Sequence, residues 1–136
     1  MARGKIPTAL SMRELKYGAS PEAERDAVAE RLRGEGRRSE AVLLFEGRPD
    51  HPFLAEEATW AVSEGNAFHL MSLQRIGREI PAEAFQDCAR NAVDRGRWMD
   101  ARHCYLELDD EAALRAIAEH LPPSLQPAPE APTVED

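Results

Sequence analysis

The sequence predicts an all-α fold. Apolar residues recur at helical spacing between glycine and proline stops. No segment sustains the alternation of apolar and polar residues that marks a half-buried strand. A third observation is an order of residues that occurs twice. In residues 96–108, GRWMDARHCYLEL, the break at Gly96 is followed five residues later by Ala101 and four beyond that by Tyr105. Trp98, Ala101, Tyr105 and Leu108 share one helical face. The small residue lets a neighbouring helix approach closely, and the aromatic fills the gap one turn on. Gly36, Ala41 and Phe45 repeat the order, which suggests repeated helical hairpins.

At 136 residues the chain has one domain's length. Only 6% is aromatic against 43% hydrophobic, so Ala and Leu must supply most of the core contact. No apolar run approaches the roughly 18 residues needed to cross a bilayer. The N-terminus is basic but lacks the apolar stretch of a secretory signal. Two cysteines do not make a disulfide scaffold, and a cytoplasmic location is the expectation.

The net charge of −8 is unevenly placed. Residues 1–20 carry +3, residues 21–121 carry −8 and residues 122–136 carry −3. An acidic body lacks the basic stripe that neutralises phosphates, which argues against a nucleic-acid-binding domain.

Three regions follow. Residues 1–20 form a basic arm, with a capping-box pattern at Ser11 and Glu14 that predicts a short helix over 12–17. Residues 21–121 form the helical domain. Pro21 opens its first helix, with Glu22, Glu24 and Asp26 at the positive end of the dipole. The second helix spans about 39–46, and the third 53–64. The fourth, 67–77, is apolar over most of its circumference through Phe68, Leu70, Met71, Leu73 and Ile76, and is expected to be the most buried. Pro81 opens the fifth, with a stripe of Phe85, Cys88, Ala89, Ala92 and Val93. The sixth follows Gly96, and Asp109 or Asp110 caps a seventh that ends before Pro122-Pro123. Residues 122–136, proline-rich and acidic, hold almost nothing to bury and are expected to be disordered.

The glycine breaks at Gly36, Gly65 and Gly96 are spaced by 29 and 31 residues. Together with the glycine–alanine–aromatic order, this resembles the tetratricopeptide repeat, a helix–turn–helix unit with a period of about 34. Phe85, Ala89 and Ala92 fit the family's first helix loosely, as do Val28, Ala29 and Leu32. The middle unit departs, with Leu70 at the alanine place and Gln74 at the aromatic place. Helical-hairpin solenoids of the clathrin and coatomer type share these patterns. The resemblance implies three stacked antiparallel hairpins in a right-handed solenoid with a C-terminal capping helix. It also implies a scaffold that binds peptides or partner subunits without catalysis or cofactor. One subgroup of the family grips C-terminal carboxylates with Lys and Asn on the first helices. Here those helices hold no Lys and only Asn91, so that clamp is not expected.

In the register the resemblance implies, the first helix of each hairpin lines a groove. The candidate partner-binding residues are Asp26, Glu30 and Arg33, then Ala55, Thr59 and Val62, then Glu83, Gln86, Arg90 and Asp94. Acidic ends around an apolar middle would suit a basic-amphipathic peptide, and residues 1–20 are a candidate occupant when no partner is bound. Phe53 and Trp60, seven apart, are an alternative partner patch if exposed; packing inside the fold is the simpler expectation. Two alternatives to an adaptor stand beside it: a structural subunit of a larger or self-assembled complex, and a small thiol-dependent enzyme or redox sensor.

Candidate chemistry is sparse. Antiparallel packing of the fifth and sixth helices would bring Cys88 near Cys104, but no CxxC or HxxxH spacing supplies a metal site. Adjacent His103 and Cys104 point about 100° apart on a helix, and two core thiols with a surface histidine are the expectation. His51, His69 and His120 are expected to face solvent. Glu56-Glu57 is expected on a solvated face, and Asp109-Asp110-Glu111 at a helix start.

Overall fold

A computed structural model of the chain describes residues 21–127. The basic arm, its helix over 12–17 and residues 128–136 of the tail lie outside the described residues. The described chain is all-α: seven α-helices, two short 3-10 turns and no strand. In order these are α1 (Glu22–Gly34), α2 (Arg38–Leu43), α3 (Pro52–Glu64), α4 (Ala67–Arg75), α5 (Ala82–Asp94), α6 (Trp98–Glu107) and α7 (Glu111–Ala116). The 3-10 turns are Ala118–His120 and Pro123–Leu125.

The expected breaks are where the helices end, and the backbone shows why. Gly36 and Gly96 adopt φ of 77° and 69°, which an L side chain rarely does. At each, two bonds close the preceding helix. Arg37 N–H donates to Leu32 O (2.8 Å) and Gly36 N–H to Arg33 O (3.0 Å). Arg97 N–H donates to Ala92 O (2.8 Å) and Gly96 N–H to Val93 O (3.0 Å). This is the Schellman arrangement. Asp109 makes the same turn without glycine, at φ 55°, and the Asp110 side chain then accepts Ala113 N–H (3.1 Å) to cap α7.

Element edges differ from the sequence expectation by a few residues. Pro21 and Pro81 sit just before their helices. α2 ends early because Leu44, Phe45 and Glu46 bond three residues back instead of four, tightening the last turn. α7 yields to 3-10 geometry in the same way at Ala118–His120.

The chain divides into two compact units. Among the described residues the first holds 21–61 with Phe68–Ile80, and the second holds Val62–Ala67 with 81–127. In the first unit, α1 packs on α2, and Val28, Ala29, Leu32, Ala41, Val42 and Phe45 are buried. Phe45 stacks on Phe53 with ring centroids 4.6 Å apart. In the second unit, α5 packs on α6 and α6 on α7. Ala92, Ala101, Ile117 and Leu121 form its buried cluster, with Val93, Trp98 and Tyr105 against it. Ala41 and Ala101, the two small residues of the repeated order, are both fully buried.

Three expectations are corrected here. α4, expected to be the most buried helix, leaves Phe68 48% exposed while His69 is buried. His69 therefore does not face solvent, and neither does Glu57, which is 0% exposed. The reason for His69 and Glu57 is a set of polar partners inside the first unit.

Candidate functional site

Glu57 lies on α3 at the centre of the first unit's polar interior. It sits three residues after Leu54 and four before Ala61, both buried, so its side chain follows theirs inward. A carboxylate taken out of water must be paired. Its Oε1 accepts His69 Nε2–H from α4 (2.9 Å). Its Oε2 accepts Arg33 Nε–H from α1 (2.8 Å) and Arg38 Nη1–H from α2. Four helices thus converge on one side chain. Burial pushes the Glu57 carboxyl up, but the His69 hydrogen bond and the Arg38 and Arg33 guanidiniums outweigh it and hold the group below its ordinary range.

The aromatic walls of this cluster are the residues proposed from sequence as a partner patch. Phe53 is buried beneath Arg33, whose guanidinium carbon lies 3.7 Å from the ring centroid. Arg33 Nη2–H also donates to the Phe53 carbonyl (3.2 Å) and Nη1–H to Glu56 (2.9 Å). Trp60 is partly exposed, with Arg38 4.0 Å above its ring and His69 edge-on at 5.3 Å.

A second ion cluster ties α1 to the turn before α3. Asp26 accepts from Arg48 Nη1 (2.8 Å) and lies 3.2 Å from His51 Nε2. His51 Nδ1 accepts Phe53 N–H (3.0 Å), which caps the start of α3. Its ring lies against Phe45, 4.6 Å between centroids.

In the second unit the polar contacts serve helix ends. Asp100 on α6 is buried and accepts Ala67 N–H at the start of α4 (2.9 Å). Its other oxygen accepts Arg97 Nε–H (3.2 Å). Asn91 donates to the Val62 carbonyl (2.7 Å) at the end of α3. Cys88 and Cys104 are fully buried and reduced. The neighbouring Cys88 side chain, burial and the negative groups nearby push the Cys104 thiol up. Among the described residues no group of three or more His, Cys, Asp or Glu side chains is arranged to hold a metal ion.

The residues expected to line a groove have distinct settings. Asp26 and Arg33 are bound in the clusters above, and Glu30 lies 3.4 Å from Arg33. On α3, Ala55 and Thr59 are exposed, with the Thr59 hydroxyl donating to the Ala55 carbonyl (3.1 Å); Val62 is half-buried. On α5, Glu83, Gln86, Arg90 and Asp94 are all exposed, and Arg90 pairs with Asp87 (3.1 Å). Other exposed residues stand out by their chemistry. Leu43 on α2 and Phe68 on α4 in the first unit, and Met99 and Leu106 on α6 in the second, are large and apolar. Met99 and Leu106 are seven apart, two turns along one face of α6.

Comparison with protein-family models, with curated proteins and with solved structures finds no match to this chain. The Glu57 centre is the main feature that the sequence reading missed. Its signal was present, because position 57 falls on the Phe53, Leu54 and Ala61 stripe while Glu56 does not.

Proposed function

We propose that this chain is a non-catalytic interaction module whose helical hairpins present a surface to a peptide or partner subunit. The observation that carries this reading is the placement of Leu43, Phe68, Met99 and Leu106. Large apolar side chains kept in water raise the free energy of the isolated chain by an amount that a partner recovers by covering them. The Met99 and Leu106 pair on α6 is the best-defined docking element, reading as two anchors on one helical face.

A second reading keeps the first helices as the partner-binding side. The open polar stripe of Glu83, Gln86, Arg90 and Asp94 on α5 favours it. In that reading the hairpins stack as a solenoid, and a basic-amphipathic segment lies along the stripe. The internal pairing of Asp26 and Arg33 weakens the acidic end that the first unit would contribute.

Affinity capture from the native host with paired variants distinguishes these readings. A co-purifying protein lost with Met99→Asp and Leu106→Asp, and kept with Glu83→Lys and Asp94→Lys, supports docking on α6. The opposite pattern, with binding that weakens as salt is added, supports the α5 stripe. Mass measurement in solution tests the structural-subunit alternative. A chain that remains monomeric at high concentration counts against self-assembly, and a concentration-dependent oligomer counts against a free-standing module.

A further inference from the structure

Five arginines lie in residues 81–127, and four of them meet an acid. Arg90 pairs with Asp87 (3.1 Å), Arg95 with Glu64 (3.0 Å), Arg97 with Asp100 (3.2 Å) and Arg115 with Glu111 (3.8 Å). Three of these pairs join residues three or four apart, the spacing at which helical side chains meet. Arg102 on α6 is the exception. Among the described residues it has no acid within ion-pair distance. The reason is local: its neighbours three and four away are Trp98, Met99, Tyr105 and Leu106, and none is an acid.

Arg102 also stands where a partner would meet it. It is partly exposed, three residues after Met99 and four before Leu106, so the three side chains run along one open face of α6. The two apolar ends are about 10 Å apart along the axis, two helical turns. Trp98 and Tyr105 turn the other way and pack on Ala92, Ala101, Ile117 and Leu121. A cation between two exposed apolar groups loses water when that face is covered, which is costly without an anion opposite. A carboxylate offsets the loss through a charge-assisted, bidentate pair with the guanidinium. Exposed Glu107, Asp109 and Asp110 follow at the Leu106 end, so further acids there would be repelled.

We propose that the face of Met99, Arg102 and Leu106 takes an amphipathic helix of a protein partner that sets one carboxylate between two apolar side chains two turns apart. The inference rests on the reading of α6 as the docking helix and adds the chemistry of what docks there. The partner's apolar side chains cover Met99 and Leu106 and supply affinity. Its carboxylate meets Arg102 and supplies register and selectivity. A helix with lysine at the central place would set two cations against each other, and one with an apolar residue there would cover Arg102 unpaired.

The test selects helical peptides from a phage-displayed library, randomised on one face, against the full chain. Enriched peptides should carry Asp or Glu between apolar residues two turns apart. They should bind the parent and lose the full-length Met99→Asp, Leu106→Asp chain. Against full-length Arg102→Glu, the same library should enrich Lys or Arg at the central place. One selected peptide, synthesised with a fluorescent label, should bind Arg102→Glu about tenfold or more weakly than the parent by anisotropy, with the thermal midpoint of the chain unchanged. Replacing the peptide's own central acid by lysine should cost the same factor on the parent, so the test stands even where a protein variant fails to fold. Peptides lost with Met99→Asp and Leu106→Asp but lacking a central acid would overturn the acidic partner and leave α6 as the docking helix. Peptides that bind that double variant as well as the parent, or no enrichment at all, would overturn the docking face itself. A parent that is dimeric in solution, with a monomeric Met99→Asp, Leu106→Asp variant, would give the face to a second copy. Tighter peptide binding by full-length Glu130→Lys, Glu135→Lys, Asp136→Lys would give it to the chain's own acidic tail. Either result would overturn the proposed occupant.

Discussion

Replacing Glu57 with glutamine removes the charge around which the first unit's polar interior is arranged, while keeping the side chain's shape. Arg33 and Arg38 then lose their shared anion, and His69 Nε2–H faces an amide in place of a carboxylate. Breaking a buried ion pair by removing one partner costs about 3–5 kcal/mol. Part of that cost is recovered here, because Arg33 keeps Glu56 and the Phe53 carbonyl, and Arg33 and Arg38 are both partly open to water. An expected loss of ~2–4 kcal/mol follows. Glu56→Gln is the control: the same residue type one position away, exposed, and worth under ~1 kcal/mol as an ion-pair partner. Urea unfolding followed by helical circular dichroism measures both. With a slope of about 2 kcal/mol/M, the Glu57 variant's midpoint should fall by roughly 1–2 M. Equal midpoints for the two variants would show that Glu57 is a passenger in the interior.

The same residue sets a pH dependence. Its folded-state pKa lies below the value for an exposed glutamate, so the unfolded chain takes up the proton more readily. The stabilisation is fully present above the unfolded value of about 4.5 and is lost as pH falls through the lower folded value. Glu57→Gln should therefore flatten the acid limb of the stability curve below about pH 4.5, with little change in slope between pH 6 and 8. A parent and a variant with parallel acid limbs would contradict the assignment.

Three further outcomes follow from the packing. Gly65→Ala should cost about 3 kcal/mol or more, against about 1 kcal/mol for Gly36→Ala, as read by urea midpoints. Both glycines have left-handed φ, but a Cβ at Gly65 would lie 2.5 Å from Ala92 N, while one at Gly36 meets nothing within 4 Å. Ala101→Leu should destabilise by ~1–3 kcal/mol in thermal or urea melts, because Ala101 is fully buried in the cluster with Ala92, Ile117 and Leu121. Asp100→Ala should cost about 1–3 kcal/mol by orphaning Ala67 N–H, and hydrogen exchange at that amide should speed up relative to the parent.

Helix positions and turn glycines were legible in the sequence because they depend on local rules. Gly36, Gly65 and Gly96 mark positive φ, and the stripe of Phe85, Cys88, Ala89 and Ala92 is buried as its spacing predicts. Asp109 was legible only as a helix cap, since its left-handed turn lacks the glycine that would announce it. Charged residues resisted local reading. Glu56 and Glu57 look alike in sequence, and what separates them is Arg33, Arg38 and His69 arriving from three other helices.

The charged residues after the turn glycines follow an order of their own, which the middle segment also breaks. In the first and third hairpins, the residue after the glycine is an arginine and the residue four after it is an acid. Arg37 pairs with Glu40, and Arg97 with Asp100. In the middle hairpin those places are Asn66 and His69. The fourth place there carries a base in place of an acid, and its partner is Glu57 on the preceding helix in place of a neighbour on its own. An acid at position 69 would set a second anion against a buried carboxylate that is already held by two guanidiniums. Gly65 keeps the positive φ common to the three breaks, while His69 beyond it answers to Glu57. Local reading of the sequence therefore succeeds where backbone conformation dictates the residue, and fails where the interior charge does.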